Sequence, residues 1–307
     1  MSIKGAALKC VRAFLICVRA VYSLAMAKSG LPTVTLPSGE TVPQLGQGTW
    51  HMGESGRARK DEVTALKLGL DLGMTLIDTA EMYGNGGAEE VVAEAVAGRR
   101  DECFIVSKVL AENSTHAGTI AACERSLKRL KTDRIDLYLL HWRGRTELAE
   151  TVSGFEALLA SGAIRAWGVS NFDIDDMEEL VALQGGAACA GNQVLYNLRR
   201  RGIEAGVLPW CRERGMPIMA YSPIEQGRLL RDRALTGVAI RHRATPAQIA
   251  LAWVLRHTDI MVIPKATTLE HVRENRAALD LALTDQDLAE LNRAFPPPKG
   301  RRPLELL

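Results

Sequence analysis

A chain of 307 residues, 47% apolar and 24% charged, has the material for one large core, and no run approaches the roughly 18 apolar residues that a membrane span needs. The formal net charge is +2, and residues 1–28 alone carry +5 (Lys4, Lys9, Arg12, Arg19, Lys28 and no acid), which leaves −3 on residues 29–307. The body therefore lacks the basic footprint of a nucleic-acid-binding surface, and the pI of about 8.2 reflects the leading segment.

That leading segment stands apart. Residues 8–27, LKCVRAFLICVRAVYSLAMA, begin basic, and Ala25-Met26-Ala27 has the small-residue character of a cleavage site. Arg12 and Arg19 leave only AFLICV uninterrupted, short for a secretory h-region. Residues 1–27 read best as a disordered extension upstream of a start at Met26. A cleaved signal or a basic amphipathic helix on a membrane surface are the alternatives. Residues 28–307 read as one domain.

From residue 33 the pattern is regular. TVTLPSGETVPQL reads as a hairpin with its turn at Ser38-Gly39. Eight short apolar runs follow: 45–50 (LGQGTW), 75–80 (TLIDTA), 103–109 (CFIVSKV), 136–142 (DLYLLHW), 163–171 (AIRAWGVSN), 190–196 (AGNQVLY), 217–224 (PIMAYSPI) and 260–266 (IMVIPKA). Between them, segments of helical period cover 61–73, 119–131, 147–162, 173–183, 203–215 and 245–257, the last with Thr245 as N-cap and Pro246 at the first helical position. TLEHVRENRAAL (268–279) follows the eighth run, and TDQDLAELNRAF (284–295) reads as an additional helix before a Pro-rich end. Eight strand–helix units whose strands have no polar face predict parallel strands buried on both sides. The expected fold is α/β: a (β/α)8 TIM barrel with the hairpin closing its N-terminal end and an extra C-terminal helix.

Chemistry in such a barrel belongs at the C-terminal ends of the strands. The polar residues there are Asp78, Lys108, His141, Ser170-Asn171, Asn192-Gln193, Tyr221 and Lys265. Taken singly, Asp78 reads equally well as a turn cap, Tyr83 as a loop aromatic, His141 as a core histidine and Ser170-Asn171 as the N-cap of the next helix. Lys108 is harder to dismiss, because an ammonium among Phe104, Ile105, Val106 and Val109 is costly without a carboxylate nearby. Neighbouring strands about 4.8 Å apart let Asp78 pair with it and bring His141 beside it. A phenol next to that ammonium is expected to have its pKa of about 10 lowered, with His141 hydrogen-bonded to a substrate carbonyl oxygen. The six histidines show no HxH or HExxH spacing and the six cysteines no CxxC, so no metal site is expected; free buried thiols in a reducing compartment are. A site with a proton, no nucleophile and no metal calls for an external reagent, and a nicotinamide hydride fits.

The residues carry a resemblance as well. GQGTW (46–50), LIDTAEMYGNG (76–86), VSKV (106–109), LLHW (139–142), GVSNF (168–172), NQVLYN (192–197), AYSPIEQG (220–227) and IPKATTLEHVREN (263–275) resemble the aldo-keto reductases in order and spacing across about residues 33–305. The later part looks most like small bacterial reductases acting on methylglyoxal and other short aldehydes. The resemblance implies NADPH as cofactor, with NADH as a second, and Tyr83 as general acid, Lys108 as the partner that lowers its pKa and Asp78 as the anchor of Lys108. It also implies His141 as the group that orients the carbonyl. Ser170, Asn171 and Gln193 match positions that hold the nicotinamide carboxamide, and Tyr221 the aromatic against the ring. Ser222, Ile224 and Gln226 fall in the segment along the pyrophosphate, Lys265 at the adenosine 2′-phosphate, and Glu274 and Asn275 near the adenine; Thr49, Trp50, Asp78, Ala266, Thr267 and His271 complete the expected cofactor set. Trp50 and Trp142 are expected to line the substrate mouth with Tyr83 and His141, favouring small or flat carbonyl compounds.

Two departures stand out. Many NADPH-specific members carry Ser directly after the lysine and Arg six positions after it, where this chain has Ala266 and His271, so a weaker preference for NADPH over NADH is expected. Glu225 stands where relatives often have Gly, and to spare the pyrophosphate its carboxylate is expected to point outward. The rival readings are a non-catalytic nicotinamide-binding sensor and a Schiff-base lyase using Lys108. A cytoplasmic monomer with a small-molecule carbonyl substrate, no nucleic acid and no integral membrane segment is expected.

Overall fold

The computed structural model describes residues 30–307; the expectations for residues 1–27 lie outside them. The hairpin forms as β1 (Thr33–Thr35) and β2 (Thr41–Pro43), antiparallel with Val34 opposite Val42. Its turn closes through Leu36 N–H to Glu40 O at 2.8 Å, with Gly39 at φ 87°.

All eight apolar runs become strands: β3 (Gln47–Gly48), β4 (Leu76–Asp78), β5 (Phe104–Val109), β6 (Ile135–Leu140), β7 (Ile164–Ser170), β8 (Asn192–Leu195), β9 (Ile218–Tyr221) and β10 (Ile260–Val262). They pair in sequence order and in parallel from β3 to β10. The ring closes where Val262 N–H donates to Gln44 O (2.7 Å), Gly46 N–H to Val262 O (2.9 Å) and Gly48 N–H to Pro264 O (3.0 Å). Every residue of β4, β5, β6 and β8 is buried, as strands covered on both faces must be.

The interior follows from the two-residue period of a strand. Leu76, Phe104, Val106, Leu137, Leu139, Met219, Met261 and Ile263 share one cluster with Val34, Leu36 and Val42 of the hairpin. Since Leu76, Phe104 and Leu137 lie toward the strand starts, the hairpin closes the N-terminal end. Two residues beyond the cluster members come Asp78, Lys108, His141, Tyr221 and Lys265. The alternation that fills the barrel with apolar side chains thus delivers polar ones at its other end.

The helices are α1 (Arg59–Asp71), α2 (Gly87–Ala95), α3 (His116–Leu130), α4 (Leu148–Ser161), α5 (Ile174–Ala182), α6 (Val207–Glu213), α7 (Arg233–His242), α8 (Pro246–Leu255), α9 (Leu269–Ala277) and α10 (Asp285–Ala294). Helical period alone did not reveal α2 and α7. Helix α2 is only nine residues long and starts at a glycine, and α7 contains Gly237. Tertiary pairs support α7: Arg241 and His242 both bind Asp287 of α10, at 2.8 and 2.7 Å. The expected cap of α8 is a full capping box, Thr245 with Gln248. Helix α5 is capped by Asp173 with Asp176, so Ser170 and Asn171 do not serve as its N-cap.

Candidate active site

The Lys108 ammonium sits fully buried at the end of β5 with three acceptors: Asp78 Oδ1 at 2.7 Å, Thr79 O at 2.8 Å and Tyr83 Oη at 3.3 Å. Three N–H groups meet three oxygens, which satisfies the ammonium form completely. The Thr79 carbonyl was not anticipated, because backbone acceptors leave no mark in residue type. Gln193 also donates to Asp78 Oδ1, at 2.7 Å, so this carboxylate holds the group together across the barrel mouth instead of capping a turn.

Tyr83 reaches Lys108 through an unusual turn. Gly84, Asn85 and Gly86 follow at φ 57°, 53° and 90°, the left-handed region where glycine is free of steric cost. The turn packs backbone to backbone against the loop after β3: a Cβ on Gly87 would meet the Gly53 carbonyl oxygen at 2.5 Å. Glu81, also unanticipated, accepts from Leu110 N–H and Asn113 Nδ2, both at 2.9 Å, and fastens the chain leaving β5.

The electrostatics correct one expectation. The Tyr83 phenol is pushed well above its usual value, not below it, first by burial and then by the charge of Asp78. Desolvation of a phenolate dominates there, and burial likewise lowers the pKa of Lys108 against the pull of Asp78. Tyr83 is thus a protonated phenol at neutral pH. Burial, followed by the Lys108 charge, pushes the His141 imidazole down to about 2, so it is neutral, with one N–H to donate. Its ring meets Tyr83 edge-on, with centroids 5.7 Å apart at 73°, and lies 4.7 Å from Trp142.

A second layer joins the ends of β7, β8 and β9. Asn171 donates to His141 O (3.1 Å) and Ser170 Oγ (3.2 Å), and accepts from Tyr221 Oη (2.9 Å); Ser170 Oγ donates to Gln193 O (2.9 Å). Trp50 is exposed at the rim against His51. Thr49 is buried, its hydroxyl on Asp78 O at 2.9 Å. The remaining expected cofactor residues lie around α9 and in the turn after β9. Lys265 and His271 are exposed and Ala266 and Thr267 half-buried around the start of α9, where the Thr268 hydroxyl accepts His271 N–H at 3.2 Å. Glu274 is half-buried and Asn275 buried on α9 itself. Ser222, Ile224 and Gln226 line the turn after β9.

Glu225 in that turn does not point outward. It is 1% exposed and takes hydrogen bonds from Asn197 Nδ2 (2.8 Å) and Arg200 Nε (3.0 Å). A buried carboxylate needs such compensation, and an arginine 25 positions back supplies it.

The donor set suits a nicotinamide dinucleotide: neutral amides and an aromatic ring beside the Asp78–Lys108–Tyr83 group, and an exposed cation at a helix N-terminus suited to phosphate. The family model described as "Aldo/keto reductase family" matches residues 44–295. The chain belongs to the aldo/keto reductase family. It is 52% identical over 272 residues to methylglyoxal reductase YeaE of Escherichia coli, covering 87% of this chain and 96% of that one. It is 34% identical to glyoxal reductase of Bacillus subtilis, with 85% and 91% covered. A crystal structure of an aldo/keto reductase from Klebsiella pneumoniae in complex with NADP and acetate superposes with a TM-score of 0.88 at 48% identity, covering 90% of this chain and all of that one. As an aldo-keto reductase, the protein is a nicotinamide-dependent oxidoreductase of carbonyl–alcohol pairs. In this reductase Lys108, with every N–H donated, has no free lone pair with which to begin Schiff-base chemistry.

Proposed function

We propose that this reductase converts small aldehydes and ketoaldehydes of the methylglyoxal type to alcohols with NADPH, and that Tyr83 is its general acid. The observation that carries this reading is the Tyr83–Lys108–Asp78 chain at 3.3 and 2.7 Å. The names of the methylglyoxal and glyoxal reductases it resembles, and the aromatic rim of Trp50 and Trp142, support the substrate class. The same reading takes residues 28–307 as one catalytic domain, cytoplasmic and monomeric.

A bound reduced nicotinamide supplies the hydride that adds to the carbonyl carbon. Ser170, Asn171 and Gln193 hold the carboxamide, Tyr221 flanks the ring, and Ser222, Ile224 and Gln226 follow the pyrophosphate. Lys265 takes the 2′-phosphate at the start of α9, with Glu274 and Asn275 toward the adenine. Neutral His141 donates its N–H to the carbonyl oxygen and orients it. As charge develops on that oxygen, Tyr83 transfers its phenolic proton, and the Lys108 ammonium stabilises the phenolate that results. Because the phenol is protonated at neutral pH, the acid is ready before substrate arrives; Lys108 acts on the product of the transfer more than on the resting group.

The test follows NADPH oxidation with methylglyoxal and a panel of short and aromatic aldehydes. Tyr83→Phe is expected to lose about 10²–10⁴-fold in kcat and to keep cofactor binding. A wild-type protein that binds NADPH yet turns over none of the panel would favour the sensor reading, and a borohydride-trapped adduct on Lys108 the lyase. Parallel kinetics with NADH are expected to show a modest, salt-sensitive preference for NADPH, since His271 lacks the bidentate fork that an arginine would offer the 2′-phosphate. Strong, salt-insensitive discrimination would overturn that part.

A further inference from the structure

The turn after β9 has a backbone its residues do not favour. Ser222, Glu225 and Gln226 hold φ of 47°, 50° and 53°, a region where side chains with a Cβ are strained. Glycine is the natural occupant, yet position 225 carries a glutamate, and that glutamate is buried.

What holds the turn comes from the end of β8. Asn197, fully buried, donates from the same Nδ2 to Ser222 O (2.9 Å) and Glu225 Oε2 (2.8 Å), one at each end of the strained segment. Its Oδ1 accepts Arg199 N–H (2.9 Å) and Arg200 N–H (3.0 Å), which fixes the amide. Arg200 Nε binds Glu225 Oε1 at 3.0 Å, and its Nη1 binds Glu305 at 2.9 Å. The stretch containing Glu305 is tied down in turn: Arg301 binds Asp175 at 2.7 Å, and Leu304 N–H reaches Asp173 at 3.3 Å. One guanidinium therefore joins the turn after β9 to residues 301–305.

We propose that Glu225 is a positioning residue: with Asn197 and Arg200 it latches the 222–227 turn in its strained form and so slows departure of the dinucleotide, and Glu305 reinforces the latch through Arg200. The proposal rests on the reading that Ser222, Ile224 and Gln226 line the pyrophosphate. A charge-assisted pair on the far side of the turn holds it shut without touching the cofactor.

Glu225→Gly tests this with little risk to folding, since glycine suits a φ of 50° and Arg200 keeps Glu305. Stopped-flow displacement of NADPH is expected to show dissociation about tenfold faster, as loss of a charge-assisted hydrogen bond allows. Single-turnover hydride transfer at saturating NADPH should keep its rate. Glu305→Gln should speed dissociation in the same direction by a smaller factor. Dissociation from Glu225→Gly within about twofold of wild type, in a protein with native circular dichroism and melting, would overturn the latch. Hydrogen–deuterium exchange separates the two ideas. If NADPH protects amides 222–228 of the wild type but Glu225→Gly releases it no faster, the latch alone fails; if NADPH leaves those amides unprotected, the pyrophosphate reading fails and the latch with it.

Discussion

His141 illustrates how burial decides the chemistry of one side chain. At 8% exposure beside an ammonium its imidazole stays neutral, the state in which the proposed mechanism uses it as a hydrogen-bond donor. The same shift has a thermodynamic consequence. The unfolded histidine binds a proton below about pH 6.5, whereas the folded one, with its pKa pushed down to about 2, does not. Stability therefore falls as pH drops from about 6.5 toward 2. His257, pushed down to about 4 by burial and then by Arg256 and Arg212, contributes with the same sign over a shorter window. Between pH 6.5 and pH 5 His141 accounts for about 2 kcal/mol. Urea unfolding of His141→Gln at pH 7 and pH 5 should show an acid loss smaller by about that amount; an unchanged loss would mean the imidazole is not held neutral. The site residues were legible because strand alternation places Asp78, Lys108 and His141 on one inner face. Their protonation was not legible, since it depends on what the rest of the fold excludes.

At the scale of elements, the stretch that carries Tyr83 depends on a loop thirty residues earlier. Gly53 lies at φ 72°, and a Cβ there would come within 2.2 Å of the Gly87 carbonyl carbon. Gly53→Ala must push the turn away and carry Tyr83 with it. A displacement of about 1 Å costs on the order of 10²-fold in rate, so kcat should fall far more than substrate affinity while far-ultraviolet circular dichroism stays native. Unaltered kcat in Gly53→Ala would show that the loop does not position Tyr83. The glycines around Tyr83 announced a turn in the sequence; its partner at Gly53 did not. The same distinction explains α7, whose Gly237 weakens its helical signal while Arg241 and His242 anchor it to Asp287.

For the whole molecule, the two ends of the barrel divide the labour. Val34, Leu36 and Val42 of the hairpin complete the apolar cluster at one end, and the polar site occupies the other. Leu36→Ala should cost about 2–5 kcal/mol, read as a lower urea midpoint, with kcat under native conditions within about twofold of wild type. A large kcat loss at unchanged stability would show that the hairpin reaches the site.

By itself the sequence determined the eight strands, their direction and the polar residues at their C-terminal ends, because all three follow from short-range periodicity of apolar side chains. Only the tertiary structure decided that Tyr83 is held protonated, that Thr79 and Gln193 complete the Lys108–Asp78 group, and that Glu225 turns inward to Asn197 and Arg200. Those outcomes depend on burial and charge contributed by residues far apart in the chain, and no local pattern records which distant groups the fold will bring together.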